Sequence, residues 1–202
     1  MKVCWPAPER NKQPIVAVLK RVLPERGTLL ELASGSGQHI AHFASELPNI
    51  RFIASDIDPD NLASIRAYRA EGGDNFLPPR EIDVRSHEWQ VGPVDAIFNA
   101  NMIHIAPWAS CVALIDGVRR NLARGGVFVL YGPFRVDGLH TAASNAEFDL
   151  SLRERNPEWG VRDLEAVVEL AEAAGLSFRE RVTMPANNLC LVFERRRESL
   201  VP

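Results

Sequence analysis

Residues 29–39 of the chain read Leu29-Leu30-Glu31-Leu32-Ala33-Ser34-Gly35-Ser36-Gly37-Gln38-His39. The apolar run from Thr28 to Leu32 predicts a buried strand, and the small residues after it let the backbone turn tightly. Apolar residues then recur at helical spacing from Ile40 to Leu47. A helix that begins after such a turn presents unpaired N–H groups and a positive dipole end. The stretch therefore predicts a strand, a glycine-rich turn and a helix that together suit an anionic group of a ligand.

Predicted strands and helices alternate along most of the chain. The predicted strands after the first cover residues 51–55, 80–84, 94–99, 127–131, 178–184 and 189–194. Such alternation favours a mainly parallel sheet with helices on both faces. The link at residues 185–188 is too short for a crossover and requires an antiparallel hairpin. The sequence therefore predicts a doubly wound, Rossmann-like α/β fold, with a seven-stranded, mostly parallel sheet and an antiparallel C-terminal hairpin.

The pattern predicts a single domain over residues 1–202. Residues 1–11 are polar and contain prolines, which indicates an ordered N-terminal arm or lid, and residues 12–202 form the core. The first helix is expected to carry Pro14 in its first turn. A long polar loop is predicted after the fifth strand, at residues 132–145.

Composition argues against several classes of function. A net charge of −3 is unfavourable for a nucleic-acid surface, which needs clustered lysine and arginine. The chain has no run of eighteen apolar residues and no signal peptide, and its three cysteines form no C-x-x-C pair. We therefore expect a cytoplasmic protein with no membrane segment. The sequence leaves its oligomeric state open.

A metal site is not expected. His39 and His42 lie three residues apart on one predicted helix, but a third ligand is not evident in the sequence. A solvated or capping role is favoured for both histidines.

Polar residues lie at the carboxyl ends of four of the predicted strands or directly after them. In chain order they are Glu31 before the glycine turn, Asp56, Asp83, and Asn99 with Asn101 and His104. Because the carboxyl ends of parallel strands meet at one edge of a sheet, we expect these side chains to lie close together. A carboxylate after the second strand suits the hydroxyls of a ribose, and one after the third can accept a hydrogen bond from an adenine amino group.

This arrangement resembles the class I S-adenosylmethionine-dependent methyltransferases. Their glycine motif has an acidic residue followed by three alternating glycines, and residues 31–37 match it with Ala33 at the first glycine position. Residues 122–126 are similar to the turn before the family's fifth strand. The resemblance covers roughly residues 12–194. It implies an enzyme that uses S-adenosyl-L-methionine and releases S-adenosyl-L-homocysteine.

A closer resemblance is to the methyltransferase-like protein 26 family. The matching stretches are Pro8-Glu9-Arg10-Asn11, the glycine motif with Gln38-His39, residues 55–59, Tyr131-Gly132-Pro133-Phe134, Ser144-Asn145, residues 156–163 and Ala186-Asn187-Asn188-Leu189. This resemblance implies the same fold and cofactor and names no methyl acceptor.

The strand ends and the resemblance together give the expected cofactor-binding residues. They are Glu31, Ala33, Ser34, Gly35, Gly37, Asp56, Ile57, Asp83, Val84, Asn99 and Asn101. Methyl transfer from a sulfonium needs the nucleophile, the methyl carbon and the sulfur to be held in line with water excluded, and this requires no metal.

The sequence does not identify a general base, but three residues are candidates for a catalytic role: His104, Tyr131 and Asn145. The strand ends provide a floor for the cofactor and no roof over the transferred methyl group. We therefore expect a small-molecule acceptor in a pocket closed by the arm, with Arg10 and Asn11 as orienting residues, and by the loop at residues 132–145.

Other functions stay open. A nicotinamide-dependent oxidoreductase would need a third glycine at position 40, where Ile40 stands. The second alternative is a protein that binds S-adenosylmethionine without catalysing a reaction, and the sequence argues against it less strongly than against the oxidoreductase. Amino-methylation of nucleic acids would favour an Asp/Asn-Pro-Pro-aromatic motif, and the chain has Asn99-Ala100-Asn101-Met102 at that strand end.

Overall fold

The computed structural model describes residues 1–197, and its strands and helices alternate along the chain. The helices are α1 (Pro6–Val22), α2 (Gln38–Glu46), α3 (Pro59–Arg69), α4 (Trp108–Asn121), α5 (Ala143–Arg155) and α6 (Leu164–Ala173). The strands are β1 (Gly27–Leu32), β2 (Ile50–Asp56), β3 (Arg80–Glu81), β4 (Val94–Ala100), β5 (Leu122–Gly132), β6 (Phe134–Val136), β7 (Leu139–His140), β8 (Arg162–Asp163), β9 (Leu176–Met184) and β10 (Asn188–Arg195).

One seven-stranded sheet organises the chain, in the order β3-β2-β1-β4-β5-β10-β9. β1 pairs in parallel with β2 on one side and with β4 on the other, and β4 pairs in parallel with β5. β10 pairs antiparallel with both β5 and β9. The predicted fold class is confirmed. Because the chain moves outward from β1 to β3 and then crosses to β4, the switch point of the sheet lies at the carboxyl end of β1.

The first helix begins earlier than predicted. α1 starts at Pro6, so the segment before it comprises residues 1–5 rather than 1–11. Pro6 stands in the first turn, where a backbone N–H has no intrahelical partner, whereas Pro14 lies inside the helix. Burial of the apolar stripe that starts at Ile15 stabilises the helix despite Pro14. The prediction that Pro14 lies in the first turn is therefore wrong.

The stretch predicted as a polar loop, residues 132–145, contains two strands and the start of α5. β6 pairs antiparallel with β7 and parallel with β8, which gives a second, three-stranded sheet. An ion pair of 2.7 Å between Arg135 and Asp163 joins β6 to β8, and Phe134 is fully buried beside it. These long-range contacts outweigh the local polar composition.

The sheet separates two hydrophobic cores. The helices α1, α2 and α3 pack on one face, where Phe43, Phe52 and Phe98 are fully buried. The helices α4 and α6 pack on the other face, where Phe128 and Trp89 are buried. Because both faces are covered, the carboxyl edge of the strands is the place where a ligand site can form.

Gly117 on α4 is expected to be required for the packing of Trp89. A Cβ atom at Gly117 would come within 2.0 Å of the Trp89 ring. Gly117→Ala should therefore lower the free energy of unfolding by about 1–3 kcal/mol, although alanine is the better helix former. Urea denaturation followed by circular dichroism measures the change. In a Trp89→Leu background the same substitution should be much milder, and equal losses in both backgrounds would contradict this packing argument.

Candidate functional site

The turn after β1 has a left-handed backbone at three positions: Ala33 (φ 52°), Gly35 (φ 56°) and Gly37 (φ 87°). Glycine adopts this conformation without a steric penalty, whereas an alanine is strained there by about 1 kcal/mol. Ala33 therefore keeps the conformation of the glycine that it replaces in the motif. Backbone strain of this kind concentrates at binding sites.

Hydrogen bonds from β2 hold the turn in place. The Ser34 N–H donates to the Ser55 carbonyl at 2.8 Å, and the Ser55 N–H donates to Ser34 Oγ at 3.1 Å. Asp56, the last residue of β2, accepts from the Gly35 N–H at 2.8 Å and from the Asp58 N–H at 3.0 Å. Each Asp56 oxygen accepts one of these bonds and keeps a further lone pair for a ligand.

A cavity of about 280 Å³ lies beside the turn, at the switch point of the sheet. The turn and the end of β2 form one wall, with Ala33, Ser34, Gly35 and Asp56 lining it. The structure thus brings these four predicted residues together. A second wall is formed by the segment after β4 and includes Asn101, Met102 and Ile105.

The segment before α1 and the first turns of α1 form the third wall, which includes Trp5 and Asn11. The Trp5 ring packs on the turn, since a Cβ atom at Gly35 would lie 2.5 Å from Trp5 Cζ3. Gln38 fastens the segment: its Oε1 accepts from the Trp5 N–H and its Nε2 donates to Glu9 Oε1, both at 2.6 Å. The N-terminal segment is therefore bound to the start of α2.

A buried chain of polar side chains lies behind this wall. His39 Nε2 donates to Asn11 Oδ1 at 2.6 Å, and the Asn11 side chain lies near the hydroxyl of Tyr131. Burial lowers the pKa of His39 to about 4, so the imidazole is neutral at pH 7. The ring also stacks on Phe43. The expectation of a solvated or capping His39 is therefore wrong, because α1 covers this side of α2.

Glu31 lies buried next to this chain, at the end of β1. Its Oε1 is 3.7 Å from His39 Nδ1, and within residues 1–197 its Oε2 has no hydrogen-bond partner. Burial raises the pKa of Glu31 to about 8, so the carboxyl group holds a proton at pH 7. The contact with His39 therefore joins two neutral groups rather than an ion pair. Glu31 does not line the cavity.

The third strand ends earlier than predicted, and this moves Asp83 away from the cavity. β3 stops at Glu81, and the Asp83 carboxylate is bound by the Arg85 guanidinium at 2.7 Å. Val84 is buried in the core below α4. Neither Asp83 nor Val84 lines the cavity. The Asp83 carboxylate, which was expected to bind an adenine amino group, is instead paired with Arg85.

Three further predicted cofactor residues also lie outside the cavity. Asn99 is fully buried, and its Nδ2 donates to the Leu32 carbonyl at 2.9 Å, which joins β4 to β1. Gly37 packs against α3, where a Cβ atom would lie 3.0 Å from Ile65 Cγ1. Ile57 is exposed at the start of the loop after β2. Asn99 and Gly37 therefore shape the site from behind.

The catalytic candidates do not line the cavity either. His104 is fully buried beneath Gly132 and meets Phe134 edge-on, and burial lowers its pKa to about 3. The Tyr131 hydroxyl lies behind Asn11. His104 is therefore a neutral packing residue at pH 7.

The third catalytic candidate, Asn145, holds α5 to the C-terminal hairpin. Its Nδ2 donates to Thr141 Oγ1 at 3.0 Å and to the Asn187 carbonyl at 2.9 Å. Arg10, predicted to orient an acceptor, is exposed on α1, while the neighbouring Asn11 faces the cavity. Of the two arm residues, the structure brings only Asn11 to the site.

Sequence reasoning did not assign several of the lining residues to the site, among them Trp5, His39, Asn61, Met102 and Ile105. Trp5 directly precedes the proline-bearing start of α1, and His39 lies one helical turn before Phe43 on the buried face of α2. These spacings were signals in the sequence. Nothing comparable marked Met102 or Ile105, which reach the cavity through the turn after β4.

Ionisation of Glu31 should make stability depend on pH in a defined window. The unfolded chain releases this proton near pH 4.5, whereas the folded protein keeps it up to about pH 8. The contribution of Glu31 to stability should therefore fall as pH rises from about 5 to 8, by at most about 1.4 kcal/mol per pH unit, while the lowered pKa values of His39 and His104 act in the opposite direction up to about pH 7. Urea denaturation at several pH values of the wild type and Glu31→Gln measures this. The difference between the two proteins should change with pH, and a constant difference would contradict the raised pKa.

Two general features of the described chain bear on the site. Within residues 1–197, no helix is both long and apolar enough to cross a membrane. In the same residues, no cluster of three or more His, Cys, Asp or Glu side chains is arranged to hold a metal ion.

Solved structures similar to this chain share its methyltransferase fold. An O-methyltransferase family protein from Burkholderia thailandensis matches with a TM-score of 0.78 and 18% identity, over 93% of this chain and 57% of its own. Human N-acetylserotonin methyltransferase, in a complex with SAM, matches with a TM-score of 0.72 and 15% identity, over 92% and 55%. This chain thus spans little more than half the length of these two proteins.

A third similar structure is close to this chain in length. It comes from a complex of two proteins, in which it is the partner of the Haloferax volcanii Trm112 methyltransferase activator. The match has a TM-score of 0.76 and 18% identity, and it covers 94% of this chain and 92% of the other chain. The shared fold places the carboxyl edge of β1, with its glycine turn, in a class I methyltransferase architecture. A family model matches residues 2–195, and the chain belongs to the family described as "Protein of unknown function (DUF938)".

Proposed function

We propose that this protein is an S-adenosylmethionine-dependent methyltransferase that acts on a small molecule. The observation that carries the proposal is the cavity at the switch point, where the strained turn and the Asp56 carboxylate form one wall. Ligands of doubly wound folds bind at this edge. We further propose that residues 1–202 form one domain, of which the structure describes residues 1–197. We also propose that the chain is a member of the methyltransferase-like protein 26 family.

The lining residues suit the proposed cofactor. Asp56 keeps acceptor positions for ribose hydroxyls beyond its bonds to Gly35 and Asp58. The positive φ of Ala33 and Gly35 exposes the backbone of the turn to the cavity, so that a ligand can approach closely. When bound, S-adenosylmethionine supplies an electrophilic methyl group on a sulfonium. The structurally similar human N-acetylserotonin methyltransferase is in a complex with SAM, which supports the same cofactor for this protein.

The role of the chain in the reaction is to orient the methyl group and the acceptor and to exclude water from them. The two reacting groups need to be held in line, and Trp5 and Met102 are positioned to shield them from solvent. The cavity volume of about 280 Å³ is at the lower end of the range of small-molecule sites, which supports a small acceptor. We propose that residues 1–5, rather than the predicted residues 1–11, act as the lid.

Asp56 should contribute directly to cofactor affinity. Asp56→Ala removes a charged hydrogen-bond partner, which is worth about 1–3 kcal/mol, so the affinity for S-adenosylhomocysteine should fall about 5- to 150-fold. Isothermal titration calorimetry measures it. The control is Asp60→Ala, which removes an exposed carboxylate four residues further along. Equal affinities of wild type and Asp56→Ala would refute the ribose assignment.

Trp5, which belongs to the proposed lid, should increase the affinity of the protein for S-adenosylhomocysteine. Trp5→Ala removes the ring that packs on the turn, and the loss of an aromatic contact of about 1.4 kcal/mol predicts a tenfold weaker affinity for S-adenosylhomocysteine. Trp159→Ala, a change of the same size outside the cavity, serves as the control in the same calorimetric titration. A stronger affinity in Trp5→Ala would mean that Trp5 obstructs the cofactor, and the lid proposal would then fail.

A further inference from the structure

The cavity has two parts with different chemistry. The turn and Asp56 make one part polar and charged, and we assign it to the cofactor. The other part is lined by the apolar side chains of Trp5, Pro8, Ala100, Met102 and Ile105 together with the neutral amides of Asn11 and Asn101. An acceptor molecule would lie against this second part, which we call the acceptor wall.

The acceptor wall carries no charge among the described residues. Asp56 is the one lining residue with a charged side chain at pH 7, and it belongs to the cofactor part. His39 lines the cavity as a neutral imidazole, since burial lowers its pKa to about 4. A charged acceptor would lose hydration here and gain no counter-charge from the wall, which is costly.

Asn11 offers the first polar contact on the acceptor wall. It is buried, and its Oδ1 accepts a hydrogen bond from His39 Nε2 at 2.6 Å. A primary amide has two N–H donors and two acceptor lone pairs. The bond from His39 uses one lone pair of the oxygen. The other lone pair and the N–H donors remain, and they suit a neutral group that both donates and accepts.

Asn101 offers the second polar contact on the acceptor wall. Its backbone is held in the left-handed region (φ 62°) because its N–H donates to the Tyr131 carbonyl at 2.9 Å and its own carbonyl accepts from the His104 N–H at 3.0 Å. Within residues 1–197 no hydrogen bond involves its side-chain amide. Asn101 thus has a fixed backbone on the cavity wall and a side-chain amide with its full hydrogen-bonding capacity available.

We propose that the acceptor is an uncharged small molecule with an apolar body and one hydroxyl or N–H group, which Asn11 and Asn101 hold while the body lies on the acceptor wall. This proposal rests on the proposed methyltransferase function. In the reaction, the acceptor heteroatom bonds to the methyl carbon as the carbon–sulfur bond breaks. The heteroatom's proton leaves through water at the mouth of the cavity, and the cofactor leaves as a neutral thioether.

The test uses three probes that share a 4-methylphenyl body and differ in the polar group: 4-methylphenol, 4-methylbenzoate and 4-methylbenzylammonium. Calorimetry first establishes whether S-adenosylhomocysteine binds, which tests the proposed function by itself. Ligand-observed NMR then measures each probe against the full chain saturated with S-adenosylhomocysteine. We expect 4-methylphenol to bind at least tenfold more tightly than either ion. If S-adenosylhomocysteine binds but an ion binds as tightly as 4-methylphenol, or 4-methylphenol does not bind, the acceptor proposal fails while the proposed function stands.

A variant pair tests the role of Asn101. Asn101→Asp places a carboxylate on the acceptor wall with almost no change in shape. It should weaken 4-methylphenol at least fivefold and strengthen 4-methylbenzylammonium. Asn49→Asp makes the same chemical change at an exposed loop position and should leave the ranking of the probes unchanged. An unchanged ranking in Asn101→Asp, with S-adenosylhomocysteine affinity retained, would show that Asn101 does not contact the acceptor.

Discussion

The hydrogen bond from the Gly35 N–H to the Asp56 carboxylate is the constraint on which the site depends. The turn after β1 reverses the chain within a few residues and leaves backbone donors that regular structure cannot satisfy. Asp56 supplies a charged acceptor for one of them from the neighbouring strand. Ser34 and Ser55 supply reciprocal bonds in the same place. Together these contacts fix the two strand ends relative to each other, and α2 and α3 leave the sheet in set directions.

The second determinant is a buried set of neutral polar groups on the α1 side of the sheet. Glu31, His39, Asn11 and Tyr131 come from β1, α2, α1 and β5, so their contacts join four elements. Burial favours the uncharged form of both ionisable partners, which raises the pKa of Glu31 and lowers that of His39. A neutral set avoids the desolvation cost of buried ions. Because α1 begins at Pro6, Asn11 is part of the helix, and the helix places the Asn11 amide next to His39.

The cavity separates the chemistry of its two parts. Charge is confined to the strand ends, while the other wall combines apolar side chains with the amides of Asn11 and Asn101. This separation agrees with the proposed cofactor on one side and a second molecule selected by shape and neutral hydrogen bonds on the other. The hydrogen bond between Gln38 and Trp5 holds the N-terminal segment beside the cavity.

The sequence by itself determined the alternation of strands and helices, the antiparallel end of the sheet, and the site at the glycine turn. Each follows from local pattern: apolar periodicity, a link too short for a crossover, and small residues where the backbone must turn. Only the tertiary structure decided which polar residues reach the cavity. Asp83 is taken by Arg85, Asn99 joins two strands, and Asn101 is presented by a left-handed backbone held by β5. These outcomes depend on contacts between residues far apart in the chain, and spacing in a sequence carries no information about which partner a side chain meets.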